Sequence, residues 1–298
     1  MQPYLEYIFP EQNFIDFKIK SGTVKLQTYR WPSSKDFTKG LVIIFPGYGS
    51  YVPRYSLIAQ LYTQEGYDVM GYDNEGFGNS DGLRGYIGDI DVFYNTGYEF
   101  MMKIFEFYHS KDIQSVIAFG FSLGGQLSVG IQMLLERNQQ RMFDQLILNA
   151  PNLGLMLCKP IDEIRAEIKL KFDDDPTAEV EYNPFLDYGE GLDDAWNQDD
   201  KIMVRNKVYC KSLYFNSKVT EELEQYYYQI KVPVYIALPT NESVVNNQLT
   251  REFYDIIKRN NPQNILHEYD AKHLLLYDGD LYKVIVSQQI KWLNELKQ

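Results

Sequence analysis

The stretch Gly120-Phe121-Ser122-Leu123-Gly124-Gly125 constrains this chain more than any other. It directly follows the apolar run Ser115 to Phe119 and opens the apolar, glycine-containing segment Gln126 to Glu136. That order predicts a strand, a sharp turn and a helix, with a serine at the apex. A Gly-x-Ser-x-Gly turn holds its serine in a strained backbone conformation that small neighbours must tolerate, and it lifts the hydroxyl clear of the sheet edge. The chemistry it points to is nucleophilic attack by Ser122.

Around this turn the chain reads as an alternating scaffold. Phe14 to Lys20 and Val24 to Trp31 alternate about Ser21-Gly22, which predicts a β-hairpin. Leu41 to Phe45, Val69 to Tyr72, Val116 to Phe119, Leu146 to Leu148 and Val232 to Leu238 are short apolar runs bounded by Gly, Pro, Asn or Asp. Strands buried on both faces have that pattern. Pro53 to Glu65, Asp91 to His109 and Leu123 to Asn138 carry apolar residues at helical spacing, and Gln248 to Arg259, Asn264 to Tyr269 and Leu281 to Lys297 continue as helix, strand and helix. The expectation is an α/β fold, a mostly parallel central sheet with helices on both faces. Alternation breaks between Pro151 and Ile230, a stretch too long for a structureless loop. Residues 1–150 and 231–298 are therefore expected to form the core. Residues 151–230 are expected to be an inserted cap over the carboxyl ends of the strands, where open α/β sheets bind ligands.

Charge and cysteine usage narrow the partners. A net charge of -12 argues against nucleic acid, which rewards clustered Lys and Arg, and against an anionic membrane surface. Between Phe172 and Asp200 there are 11 acids and no Lys or Arg. This run reads as a solvated negative face, or as a site for a substrate ammonium. Cys158 and Cys210 are too few for a disulfide framework and have no metal-type Cys or His spacing beside them, so both read as free thiols and no metal or cofactor is expected. No run approaches the roughly 18 apolar residues of a transmembrane helix, and the first residues lack a signal-peptide pattern, which makes the cytoplasm the expected location.

A serine is a poor nucleophile at neutral pH unless a base lies within hydrogen-bond reach and a third group orients that base. Of the 3 histidines, His109 falls near a helix end and His267 within a strand. His273 follows the last strand in Asp270-Ala271-Lys272, at the sheet end where strand tips converge, and is the expected base. The acid should follow the preceding strand, where Pro239-Thr240-Asn241-Glu242-Ser243 offers Glu242; Asp270 and Asp278 are the alternatives. Charge developing on the substrate oxygen needs two backbone donors. One is the amide of Leu123, after the serine. The other is expected from Pro46-Gly47-Tyr48-Gly49-Ser50, at the Tyr48 amide.

Three segments together resemble the monoglyceride lipase and serine aminopeptidase-like branch of the α/β-hydrolases, which includes lysophospholipase-type esterases. They are Gly120 to Gly125, Tyr72-Asp73-Asn74-Glu75-Gly76-Phe77-Gly78-Asn79-Ser80-Asp81-Gly82-Leu83-Arg84-Gly85-Tyr86, and Tyr269-Asp270-Ala271-Lys272-His273. The resemblance implies Ser122 as nucleophile, His273 as base, Glu242 at the acid position, and Tyr48 and Leu123 as oxyanion donors. Two positions depart from the family pattern: Pro46 stands where a histidine is usual, and Glu242 where aspartate is usual. The implied activity is cleavage of a carboxylic ester of a lipid-like substrate, of the monoacylglycerol or lysophospholipid class. The apolar run Leu153 to Leu157 suits such a substrate or plain packing. The alternatives are an aminopeptidase-like amide hydrolase, and a catalytically inactive α/β-hydrolase serving as a binding or structural subunit of a larger assembly.

Overall fold

The computed structural model describes residues 11–19, 22–108, 113–157, 159–180 and 208–296. His109, Cys158 and the acids from Glu181 to Asp200 lie outside the described residues. The strands are β1 (Glu11–Ile19), β2 (Gly22–Trp31), β3 (Gly40–Phe45), β4 (Tyr67–Tyr72), β5 (Val116–Phe121), β6 (Gln145–Asn149), β7 (Val234–Pro239) and β8 (Ile265–Tyr269). They form one 8-stranded sheet ordered β1-β2-β4-β3-β5-β6-β7-β8. The hairpin pairs antiparallel within itself and onto β4, while every other pairing is parallel. Strands β3, β4 and β5 are buried along their whole length, which is why β3 and β5 are continuous apolar runs without alternation; β4 adds buried Asp68, which pairs with Arg30 at 2.9 Å.

Helices α1 (Ser56–Gln64), α2 (Ile90–Phe107), α3 (Leu123–Arg137), α6 (Asn247–Asn260) and α7 (Leu281–Glu295) cover the two faces. Phe100 of α2, Leu127 of α3 and Phe253 of α6 enter one core. Ile58 of α1 and Trp292 of α7 enter the other. The segment read as starting at Pro53 opens as a short 3-10 turn over Val52–Tyr55 before α1 begins, and α2 starts at Ile90 because Asp89 caps the amides of Asp91 and Val92. Expected and observed elements otherwise coincide to within a few residues.

Between β6 and β7 lie α4 (Ile161–Asp174) and α5 (Cys210–Glu224). They pack around Ile164, Ile168, Cys210 and Leu213, a cluster separate from the two cores on the sheet. Buried Arg165 of α4 ties the pair together: its Nε donates to Ser217 Oγ at 3.0 Å and its guanidinium pairs with Glu221. Leu153 enters a sheet core, and Leu155 and Leu157 pack on the α4 and α5 cluster. The apolar run at the start of this segment is thus occupied in packing. Of the described acids in the negative run, Asp173 pairs with Lys169 and Asp175 accepts from the Thr177 amide at 2.8 Å. None of the described helices is long and apolar enough to cross a membrane.

Topology selects the crevice. The chain leaves β3 for β4 on one side and then crosses to β5 on the other, so the carboxyl ends of β3 and β5 form the switch point at which open α/β sheets bind ligands. Pro46 to Ser50 follow β3, and Ser122 follows β5.

Candidate active site

Ser122 sits at φ 52° and ψ -116°, in the left-handed half of backbone space that residues with a side chain rarely adopt. Neighbouring backbone holds it there. Its amide donates to the Asn149 carbonyl at 3.0 Å, and its own carbonyl accepts from the Gly125 and Asn152 amides at 2.9 Å each. The turn also demands close approach: a Cβ at position 124 would lie 1.8 Å from the Phe45 carbonyl oxygen, so only glycine lets α3 begin against the end of β3. With a relative exposure of 8%, Ser122 is nearly closed off from solvent.

Two loops bring polar partners to this hydroxyl. His273 Nε2 lies 3.0 Å from Ser122 Oγ, and Nδ1 lies 2.7 Å from Glu242 Oε2. The His273 and Glu242 side chains are only 12% and 2% exposed. Phe121, the residue before the serine, packs its ring against the imidazole at 5.4 Å. Asp270 and Asp278 are exposed, and Asp270 accepts from Asn241 Nδ2 at 2.8 Å, bracing the two loops against each other. Glu242 is therefore the carboxylate that the fold brings to His273. His267 lies elsewhere, with Nδ1 2.8 Å from the Tyr235 hydroxyl.

Glutamate in place of aspartate has a local reason. Glu242 Oε1 accepts from the amides of Ser243, Val244 and Val245 at 2.9, 2.7 and 3.2 Å, while Oε2 turns to His273. The extra methylene lets one carboxylate cap the turn that follows it and still reach the imidazole. Burial acts to raise its pKa; the hydrogen bond and charge of His273 and the amides of Val244 and Val245 outweigh burial and hold it below the ordinary glutamate value. An ionised carboxylate only accepts hydrogen bonds, so His273 carries its proton on Nδ1 and presents Nε2 to Ser122 as an acceptor.

The depressed titration of Glu242 has a consequence for stability. A group that binds protons more weakly when folded contributes fully above its unfolded pKa, about 4.3, and the contribution is lost as pH falls through the lower folded value. The melting-temperature difference between wild type and Glu242→Gln should be largest near neutral pH and shrink toward about pH 3. A difference independent of pH would contradict this linkage.

The Leu123 amide belongs to the first turn of α3, where helical N–H groups have no acceptor within the helix. Tyr48 lies in the loop after β3, its ring edge-on to Phe77 at 5.3 Å and its hydroxyl donating to the Gly85 carbonyl at 2.8 Å. Proline at position 46 offers this loop no side-chain hydrogen bond. Tyr55 supplies the missing support, its hydroxyl accepting from the Gly47 amide at 3.2 Å. Tyr55→Phe keeps the buried ring but strands that N–H, and is expected to cost about 1–3 kcal/mol of stability in chemical denaturation, with a lower kcat. Wild-type stability in that variant would remove Tyr55 from this role.

Sequence reading misses Tyr55, Phe121 as a wall for the imidazole, and Asn152 as a donor to the Ser122 carbonyl. Only Phe121 carries a signal, its place inside the motif.

The loop from Asp73 to Tyr86 closes on the same region. Asp73, fully buried, accepts from the Val52 amide, the Asn79 amide and the Tyr29 hydroxyl at 2.8, 2.9 and 2.8 Å. Burial pushes its carboxyl up to about 6 against the pull of those donors. A Cβ at position 78 would lie 2.0 Å from Asp73 Oδ2, which explains a glycine there.

Residues 36–280 match the family described as serine aminopeptidase, S33. The chain belongs to that family. Its S33 match takes in both core segments and the stretch between β6 and β7. No curated protein is significantly similar to the chain in sequence. Among solved structures, this S33 chain is similar to a soluble variant of monoglyceride lipase from Saccharomyces cerevisiae in complex with a substrate analog, at TM-score 0.79 and 17% identity, covering 99% of this chain and 98% of that one. It is also similar to the monoacylglycerol lipase of Paleococcus ferrophilus, at 0.72 and 19% over 90% and 98% of the two chains. A thermostable carboxyl esterase from Bacillus coagulans in complex with glycerol matches at 0.74 and 15%, over 95% and 98%. At these identities the likeness is one of fold, and it agrees with the mostly parallel sheet and flanking helices.

Proposed function

We propose that the chain is a serine hydrolase that cleaves the carboxylic ester of a lipid-like substrate through a covalent acyl-enzyme. The observation that carries this reading is the continuous relay from Glu242 Oε2 through His273 to Ser122 Oγ, with spacings of 2.7 and 3.0 Å. In it, Ser122 Oγ attacks the ester carbonyl while its proton passes to His273 Nε2. Glu242 stabilises the imidazolium, and the Tyr48 and Leu123 amides receive the oxyanion. His273 then protonates the departing alcohol. Water attacks the acyl-enzyme by the same path in reverse, which returns the proton to Ser122.

Residues 151–230 act in this reading as the cap over the site. The substrate class, monoacylglycerol or lysophospholipid, is supported by the lipases and esterases of like fold, not by Leu153 to Leu157, which are used in packing. The family description supports amide hydrolysis as the second reading. A non-catalytic binding role would rest on Pro46 and Glu242, and each of these has a compensating arrangement, in Tyr55 and in the amide-capped carboxylate. Parallel assays with 1-monooleoylglycerol and leucinamide, neither of which carries an activated leaving group, separate the readings. Ester kcat/KM is expected to exceed amide kcat/KM by at least about a hundredfold. The reverse order would move the assignment to the aminopeptidase reading.

A further inference from the structure

Helix α5 carries a polar stripe that reaches two of the loops building the site. Ser212 and Asn216 are one turn apart and so share a face. Ser212 is buried, and its hydroxyl accepts from the Ile87 amide at 2.8 Å and donates to the Ile87 carbonyl at 3.2 Å. Tyr209, just before the helix, sets its ring edge-on to Tyr86 at 5.2 Å. Tyr86 and Ile87 continue directly from Gly85, whose carbonyl holds the Tyr48 hydroxyl. Asn216 turns to the other loop. Its Oδ1 accepts from Asn152 Nδ2 at 2.9 Å and its Nδ2 donates to Gln126 Oε1 at 3.2 Å. The Asn152 amide in turn holds the Ser122 carbonyl, and Gln126 lies fully buried near the start of α3.

The two amides proposed as oxyanion donors are thus each a short chain of contacts from one helix of the inserted segment. They sit on separate loops, after β3 and after β5, yet must converge on a single oxygen. The Leu123 amide is fixed by the start of α3. The Tyr48 amide lies between Gly47 and Gly49, and its side chain is held by Phe77 and by the carbonyl of Gly85, two residues before Ile87 on Ser212.

We propose that Ser212 and Asn216 are positioning residues through which α5 sets the spacing between the Tyr48 loop and the Ser122 elbow. The inserted segment then completes the oxyanion site as well as covering it. This inference rests on the hydrolase reading above.

The test uses the full chain with Ser212→Ala, Ser212→Thr, Asn216→Ala and the near-isosteric Asn216→Asp, which replaces the donor to Gln126 by an acceptor. Turnover of p-nitrophenyl acetate, inhibition by a trifluoromethyl ketone that forms a charged tetrahedral adduct, and melting temperature are measured for each. Ser212→Ala and both Asn216 variants are expected to lose between about tenfold and a hundredfold in kcat, as a misplaced group does. KM should stay within about twofold of wild type, and ketone affinity should fall by the same factor as kcat. Ser212→Thr, which keeps the hydroxyl, should retain most of the rate.

A lowered melting temperature with unchanged kcat would reduce the two residues to structural braces and overturn the inference. So would a rise in KM alone. Fluorophosphonate labelling of the wild type separates this from the parent reading. If the wild type does not label, the hydrolase assignment fails and takes this inference with it; if wild type and variants label at the same rate, only the inference fails.

Discussion

Ser122→Ala is expected to lower ester turnover by about six orders of magnitude, the loss seen when the nucleophile of a serine hydrolase is removed. The fold should survive. Alanine keeps the Cβ, so the backbone strain at φ 52° is the same for both residues, and the surrounding amides of Gly125 and Asn152 bond the carbonyl of residue 122, not its side chain. A residual rate of about a thousandfold over water should remain, because the oxyanion donors and substrate binding are untouched. The check is kcat on p-nitrophenyl butyrate alongside circular dichroism and melting temperature. A folded variant retaining more than about a hundredth of wild-type turnover would place the nucleophile elsewhere.

Glu242→Gln is expected to cost about four orders of magnitude in kcat, through the tautomer of His273. Glutamine fits the same space, and its oxygen can still accept the three amides of Ser243, Val244 and Val245. The group then facing His273 Nδ1 is an N–H donor. Nδ1 must become the acceptor, the proton moves to Nε2, and the imidazole no longer accepts from Ser122. Asp270→Asn, by contrast, touches a carboxylate bonded to Asn241 on the surface and should leave kcat within about threefold of wild type. If Asp270→Asn were the damaging change and Glu242→Gln the mild one, the acid would be misassigned.

The amino-acid sequence alone names Ser122, and it offers Glu242 with Asp270 and Asp278 as the alternatives. The buried strands announce themselves as unbroken apolar runs, and the elbow as a serine between small residues at a strand-to-helix boundary. Glu242 and His273 follow from their positions after successive strands, since chain order fixes where such loops emerge. The compensation for Pro46 is not legible in the same way. Tyr55 lies in a helical turn, and nothing in the pattern of that turn says that its hydroxyl points back to the Gly47 amide. Glu242 reads in sequence as an imperfect substitute for aspartate because its second task, capping three amides of its own turn, depends on the local path of the chain. The contacts of α5 are equally silent. Asn216 meets Gln126 and Asn152 across long sequence separations, and short polar side chains on a partly polar helix have no periodic signature that names a partner.

Ser122 is proposed to be an activated nucleophile within a working relay. Incubation of the intact protein with a fluorophosphonate at neutral pH, followed by mass spectrometry of the peptides, tests it most directly. One phosphonyl adduct, located on Ser122 and absent in Ser122→Ala, is the expected result. A folded protein that takes up no probe, or takes it up at another residue, would contradict the claim.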